Sequence, residues 1–359
     1  MENGSSIQVP DNALAAKKKI TASFFRKGII LAILSGMCYG CYSAFLYWAT
    51  GRGVWVNWYA LAASTSSLLM LGALGSAIND TISGIWCIII AAFKGKLGDF
   101  FRVLNTKPGH IMMLCALFGG PIASTAYVVA FKMAGSMVIP ITALCPAIGA
   151  ILGRLFFKQK LNLRMIIGII ICVIASCMIG LSAAGADGNA KFAGCLIALI
   201  AAFGWGFEGC VAGYGTSLID YEIGITIRQC TSGLTNLIIL VPLIGIISGN
   251  AGSSFTHIVQ AVTSGPAMII FVISGFFAVF AYSLWYKGNS MCGAALGMTC
   301  NGMYSFWGPF FTWIIVGLLV GWPNMGLAPI SWVAAIVMAI GIFLIAMNPM
   351  DLFKKKEAL

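Results

Sequence analysis

The sequence predicts an all-α polytopic membrane protein, with ten transmembrane helices arranged as two inverted five-helix repeats. Three observations carry this reading: the composition, the number of long apolar runs, and an ordered match between the two halves of the chain. The 359 residues are 60% hydrophobic and 9% charged, with a mean hydropathy of +0.96. A soluble domain carries charged residues at about 25%. A span consumes roughly 20 apolar residues, so ten spans and their connectors use nearly the whole chain and leave no room for a soluble catalytic domain. The runs are continuous rather than alternating, and with 43 glycines they fit closely packed helices better than a barrel. The net charge of +11 comes from basic residues scattered at helix ends, where they orient the chain against an anionic leaflet. They form no contiguous basic and aromatic surface, which excludes nucleic acid as a partner.

The elements follow in chain order. Residues 1–27 read as a retained basic tail with Lys17, Lys18, Lys19, Arg26 and Lys27, because no cleavage site follows the first apolar run. Spans are expected at 28–49, 79–93, 110–131, 136–157, 163–183, 193–217, 224–248, 266–286, 291–320 and 328–347, followed by a second basic tail at 348–359. The apolar segment 54–78 is too long to add to the second span, and it opens with Trp55, Trp58 and Tyr59. It is expected to be an insert lying at the outer interface. In this ten-span scheme the side that holds both termini collects 18 of the 21 Lys and Arg, and the other side holds only Arg52, Lys132 and Lys191. The positive-inside rule then makes both termini cytoplasmic and the protein a multi-pass protein of the cytoplasmic membrane.

The two halves match at several places. Tyr127 to Lys132 aligns with Tyr282 to Lys287 at an offset of 155, which also brings Cys145-Pro146 onto Cys300-Asn301 and Gly153 onto Gly308. Eight of the 39 gap-free pairs starting at Gly119 and Ser274 are identical. Tyr39-Gly40 meets Trp205-Gly206, and Asn79 to Gly84 meets Arg228 to Gly233. An odd number of spans per half puts the halves in opposite orientations, so the repeats at 28–183 and 193–347 are inverted.

These features resemble the drug/metabolite transporter superfamily, specifically the EamA-like transporters. The resemblance rests on the aromatic-Gly pair in the first helix of each half, and on Ala143-Leu144-Cys145-Pro146-Ala147-Ile148-Gly149-Ala150 followed by Lys158-Gln159-Lys160-Leu161. It covers roughly residues 28 to 347. It departs from the family where Lys158 to Lys160 stand in place of a frequent Glu, and where Asn301 stands in place of Pro. It implies two five-helix repeats and a broad transport role without naming a solute.

Ionisable groups inside spans are costly and therefore mark function by default. Glu208, flanked by glycines, is the leading substrate-binding and coupling acid, with a buried pair to Arg228 as its structural alternative. Asp80 is the second coupling candidate. It maps onto Gln229, but it is expected near the outer end of its span, where Asn79 and Asp80 cap a helix, far from Glu208 and unpaired with Arg228. Lys132 and Lys287 read as snorkelling anchors at opposite faces. Trp205, Tyr39, Tyr42, Tyr282 and Tyr304, together with Gln229 and Asn301, are expected to wall a solute site. One acid among aromatic rings suits an amine, and it suits an aromatic or heterocyclic metabolite nearly as well.

Cys38 and Cys41 read as packing residues. His110, at a span edge, and His257, in a loop, provide too little for a metal site. No nucleotide-binding, nucleophile-elbow or zinc-hydrolase motif is present, so the chain is expected to be neither an enzyme nor coupled to ATP, and to use no cofactor. The expected function is a secondary transporter of a small organic solute working by alternating access. Gly119, Gly120, Pro121, Pro140 and Pro146 supply its close contacts and hinges. A non-transporting membrane binding or scaffold protein is the alternative. The expected partners are the solute and the bilayer, with a homodimer left open.

Overall fold

The protein is described by a computed structural model covering residues 11–62, 64–157, 162–184, 188–215, 218–248, 251–292, 294–323, 325–326 and 329–346. The described residues are helical nearly throughout. The helices are α1 (Asp11–Ala49), α2 (Val54–Leu61), α3 (Thr65–Phe93), α4 (Leu97–Leu104), α5 (Lys107–Ala134), α6 (Val138–Phe156), α7 (Leu163–Ala184), α8 (Gly188–Gly215), α9 (Tyr221–Ile247), α10 (Ala251–Thr263), α11 (Gly265–Cys292), α12 (Ala294–Asn301), α13 (Tyr304–Leu319) and α14 (Pro329–Ala346). Seven are long and apolar enough to cross a membrane: α1 over Ser23–Ala49, α3 over Ser66–Phe93, α5, α6, α8 over Ala190–Ala212, α9 and α11. Shorter apolar helical stretches cover Leu163–Ala175, Tyr304–Leu319 and Trp332–Leu344. This is the architecture of a polytopic membrane protein. The tail at 348–359, the loop Lys158 to Leu161 and residues 1–10 of the N-terminal tail lie outside the described residues.

Polarity runs from inside to outside, opposite to a soluble fold. On α3, Asn79, Asp80 and Ser83 are buried while Ile85, Ile88 and Ile89 face outward; on α9, Arg228, Gln229, Ser232 and Asn236 are buried while Leu234, Ile238, Ile239 and Ile246 are exposed. A hydrocarbon surround produces this arrangement, because side-chain polar groups have no partner in lipid and must find one within the bundle.

Local sequence sets the helix ends. Ser64 caps α3 by accepting from the Ser67 amide at 3.2 Å, and Asp220 caps α9 by accepting from the Glu222 and Ile223 amides. Three helices carry π-helical turns beside prolines: Phe118–Ser124 around Pro121, Thr235–Leu240 before Pro242, and Thr312–Leu319 after Pro309. Proline lacks the amide that an α-turn requires, and the wider turn accommodates its ring. α6 is broken at Ala143-Leu144, and the chain breaks again at Gly302-Met303 between α12 and α13. Neither break depends on a proline standing at 301.

Three expectations are corrected. The second span starts at Thr65 rather than at residue 79: only Val54–Leu61 forms a separate short helix, and 65–78 is the first half of α3. Asn79 and Asp80 are therefore buried in mid-helix instead of capping an end. His257 lies on helix α10 rather than in a loop, with its ring 4.5 Å from Trp58.

The long helices pack in pairs: α1 against α11, α3 against α9, α5 against α8, and α7 against α14. Gly119 and Gly120 let α5 approach closely, since a Cβ on the first would overlap the Glu208 carboxylate and one on the second the Ser232 side chain.

Candidate functional site

The buried polar residues converge where α3, α5, α8, α9 and α11 meet. Arg228 is fully buried on α9 and donates through all three guanidinium nitrogens. Its Nε and Nη2 lie 2.9 and 3.3 Å from the two Glu208 oxygens, a two-pronged pairing. Its Nη1 reaches Asp80 Oδ2 at 3.3 Å and also bonds Gln229 Oε1. Tyr282 lies beneath the guanidinium, with its ring centroid 4.2 Å away and its hydroxyl oxygen 3.4 Å from Nη2. Tyr286 donates to Glu208 Oε1 at 2.9 Å, and Ser232 donates to Asp80. Gln229 Nε2 donates to Ser83 at 2.6 Å.

Asp80 is therefore a partner of Arg228, contrary to the expectation that it would be far away. The correction follows from the start of α3. With fourteen more residues on its N-terminal side, Asp80 moves from the membrane surface to the middle of the helix, where α3 crosses α9.

Beside this cluster is a small cavity lined by Tyr39, Cys145, Trp205, Tyr282, Trp285, Asn301 and Tyr304, with room for about one water molecule. Tyr39 and Tyr304 stack at 4.2 Å, and Tyr39 meets Trp205 edge-on at 5.7 Å. Tyr42 links the cavity to the ion cluster, with its ring 4.8 Å from Tyr39 and 6.4 Å from Tyr282. The π-turn of α5 anchors Trp205, because the Gly119 carbonyl within it accepts from the Trp205 Nε1 at 3.0 Å as well as from Ser124 Oγ at 2.8 Å. Asn301 donates to Ser35 at 2.5 Å. Of two buried groups on the cavity wall, Trp285 Nε1 makes no hydrogen bond among the described residues, and Tyr39 Oη has only the neighbouring Tyr42 and Tyr127 hydroxyls beside it. A buried polar group without a partner is expensive, so the Trp285 indole is poised to bond whatever fills the cavity.

The ten residues expected from the sequence to bind or couple a solute thus lie in one continuous assembly: Glu208, Arg228, Gln229 and Asp80 in the ion cluster, Tyr39, Trp205, Asn301 and Tyr304 at the cavity, and Tyr42 and Tyr282 between them. Tyr286, Ser232 and Ser83 had not been selected. Ser83 and Ser232 were detectable as equivalent positions in the matched segments. Tyr286 carried no signal of its own, since its counterpart is Phe131.

The outlying lysines are held by rings. Lys132 Nζ is 4.7 Å from the ring centroids of both Tyr47 and Tyr59, and Lys287 donates to the Tyr221 hydroxyl at 2.9 Å. A second ion cluster joins the far ends of α3 and α9: Lys94 pairs with Glu222, and Lys96 pairs with Glu222 at 2.7 Å and Asp220 at 3.1 Å.

No protein-family model matches the chain, and no curated protein matches it. Among solved structures, one described only as "Crystal structure of protein" superposes with a TM-score of 0.51 at 17% identity, covering 91% of this chain and 98% of its own. The chain shares that structure's fold over nearly its full length.

Proposed function

We propose that the protein is a secondary transporter of the EamA-like type, moving a small organic solute across the cytoplasmic membrane by alternating access between two inverted five-helix halves. The observation that carries the proposal is the aromatic cavity walled by buried residues inside the bundle, with the unpartnered Trp285 indole on its wall and a buried ion cluster beside it.

Ten spans are counted when the three shorter apolar stretches are added to the seven long helices. The inverted repeat is supported by the helix pairs. Relating spans one to five with six to ten exchanges the α1–α11 pair with α5–α8 and maps α3–α9 and α7–α14 onto themselves. Residue contacts repeat the pattern: Asp80 bonds Ser232 while Ser83 bonds Gln229, and Gly84 faces Cys230 while Gly233 faces Thr81. Gly40 abuts Trp307 and Gly206 abuts Ile148. These contacts and the two helix breaks relate the fourth and ninth spans at an offset of 159, one helical turn from the 155 read in the sequence.

With every lining residue buried, the cavity corresponds to an occluded state. A groove of about 480 Å³ lined by Trp58, Met70, Ser248 and His257 forms the outer approach, and the Lys94 and Lys96 pairs close the cytoplasmic end. In intact cells, a membrane-impermeant thiol reagent is expected to label Gly252→Cys and to spare Gly98→Cys; the reverse pattern contradicts the orientation. Both positions are exposed and leave room for a side chain.

Counterflow in proteoliposomes tests the function. Vesicles preloaded with unlabelled adenine, tyrosine or choline, and then with wider amine and metabolite panels, are expected to accumulate one labelled solute transiently. Folded protein that exchanges none of them is a binding or scaffold protein.

A further inference from the structure

The ion cluster contains two carboxylates and one guanidinium. With every group ionised it carries a net charge of −1 in a region where Asp80, Glu208 and Arg228 are all buried. A lone charge in a low-dielectric interior is far costlier than a balanced pair, so the closed cluster requires one further positive charge. The other titratable groups around it do not supply that charge. They are Tyr42 from α1, Cys87 on α3, Cys115 on α5, and Tyr282 and Tyr286 on α11, all neutral when protonated. The nearby lysines are engaged elsewhere, Lys132 between Tyr47 and Tyr59 and Lys287 at Tyr221.

We propose that the closed state binds one proton at this cluster, on the Asp80 carboxyl, and that this proton crosses the membrane with the solute. Hydrogen bonding decides between the two acids. Glu208 accepts three bonds, two from Arg228 and one from Tyr286, and each favours its ionised form. Asp80 accepts from the neutral Ser232 and Asn79 side chains, and from Arg228 only through one long contact at 3.3 Å, on a guanidinium nitrogen already shared with Gln229. Glu208 and Arg228 therefore form the permanent pair, and Asp80 is the member whose proton can leave.

The coupling part rests on the transporter reading above. Protonated, the cluster is neutral and the dry, closed conformation is favoured. When Asp80 gives its proton to water it becomes a carboxylate, the cluster returns to −1, and the state that admits water is favoured. A carrier that closes only when protonated moves proton and solute in the same direction.

Infrared difference spectroscopy of the full chain in lipid, between mildly acidic and mildly alkaline buffer, reads the proton directly and needs no solute. The expected result is a protonated-carboxyl C=O band that disappears on raising the pH. It should shift when the protein is made with carboxyl-¹³C aspartate and stay fixed with carboxyl-¹³C glutamate. The band is expected to be absent in Asp80→Asn, and absent also in Glu208→Gln, where one acid and one Arg already balance. A band that shifts with labelled glutamate, one that persists in Asp80→Asn, or no titrating band in the wild type overturns the proposal. The labelled wild-type protein decides the matter even where a variant does not fold. Counterflow on the same preparation separates the two claims: a band without any flux refutes transport and leaves the proton site standing.

Discussion

The same two helices, α3 and α9, are tied together by ion pairs twice, and the two ties have opposite character. Inside the bundle Arg228 holds Asp80 and Glu208 with every member buried. At the ends of the same helices Lys94 and Lys96 hold Asp220 and Glu222, with half of the Lys94 side chain and about a third of the Lys96 side chain exposed. At the exposed end water replaces any bond that breaks, so the tie is weak and can open and close. At the buried end nothing replaces a lost partner, so the charges must balance within the cluster. Burial pulls the Lys96 ammonium down, but the bonds to Glu222 and Asp220 outweigh it, and its pKa lies above the ordinary lysine value. The exposed tie is thus formed throughout the neutral range, and is lost as pH rises through the raised Lys96 pKa or falls through that of Glu222, which the two lysines and Tyr221 hold down at about 2 against the effect of burial. The comparison separates the two ties: the buried one demands charge balance within the cluster, and the exposed one can open and close like a latch.

The sharpest way to break the comparison is to remove the central cation. Arg228→Gln leaves two carboxylates buried without their partner and is expected to cost on the order of 3–5 kcal/mol, read as thermal unfolding of the purified protein. Tolerance equal to that of a latch variant would show that the centre is hydrated. Glu208→Gln comes next, with an expected loss of about 1.5–3 kcal/mol, because the bonds to a charged acceptor go while Arg228 keeps Asp80. If Glu208→Gln were as damaging as Arg228→Gln, Asp80 would not be able to stand in as the counter-ion.

Much of this site was legible in the sequence, and the parts that were not share a cause. Glu208 and Arg228 stood out because a charge within an apolar run has few explanations, and the aromatic-Gly pairs at Tyr39 and Trp205 marked the helices that meet at the cavity. Asp80 was misplaced because a polar Asn79-Asp80 pair after an apolar stretch looks like a helix start at a water boundary. In a bundle surrounded by lipid, polar residues point inward, and the same pair marks the middle of a span. The true start was carried by Ser64, an ordinary capping serine among several in Ser64-Thr65-Ser66-Ser67. The one-turn shift between the fourth and ninth spans was invisible for another reason: the helix breaks, not the matched Cys145 and Cys300, set the register.

Gly119→Ala sharpens the role of backbone approach. The new methyl overlaps the Glu208 carboxylate, and the expected cost is about 1–3 kcal/mol, with transport reduced more than stability because the acid must move off Arg228's axis. Unchanged flux would mean that the carboxylate has room to spare. The smallest effect is expected at the latch. Lys94→Ala should change stability by less than about 1 kcal/mol, with a difference that shrinks further as salt is added. A large, salt-independent loss there would remove the distinction between the two ties.

Alternating access around the central cavity is the claim on which the rest depends, and Asn301 tests it directly. In a background with the native cysteines replaced, Asn301→Cys reconstituted in oriented proteoliposomes is treated with an impermeant thiol reagent from one side and then, separately, from the other. The account predicts labelling from both sides, with reaction from either side slowed when the closed state is favoured by acid. Labelling from one side only, or protection from both sides under every condition, would contradict it.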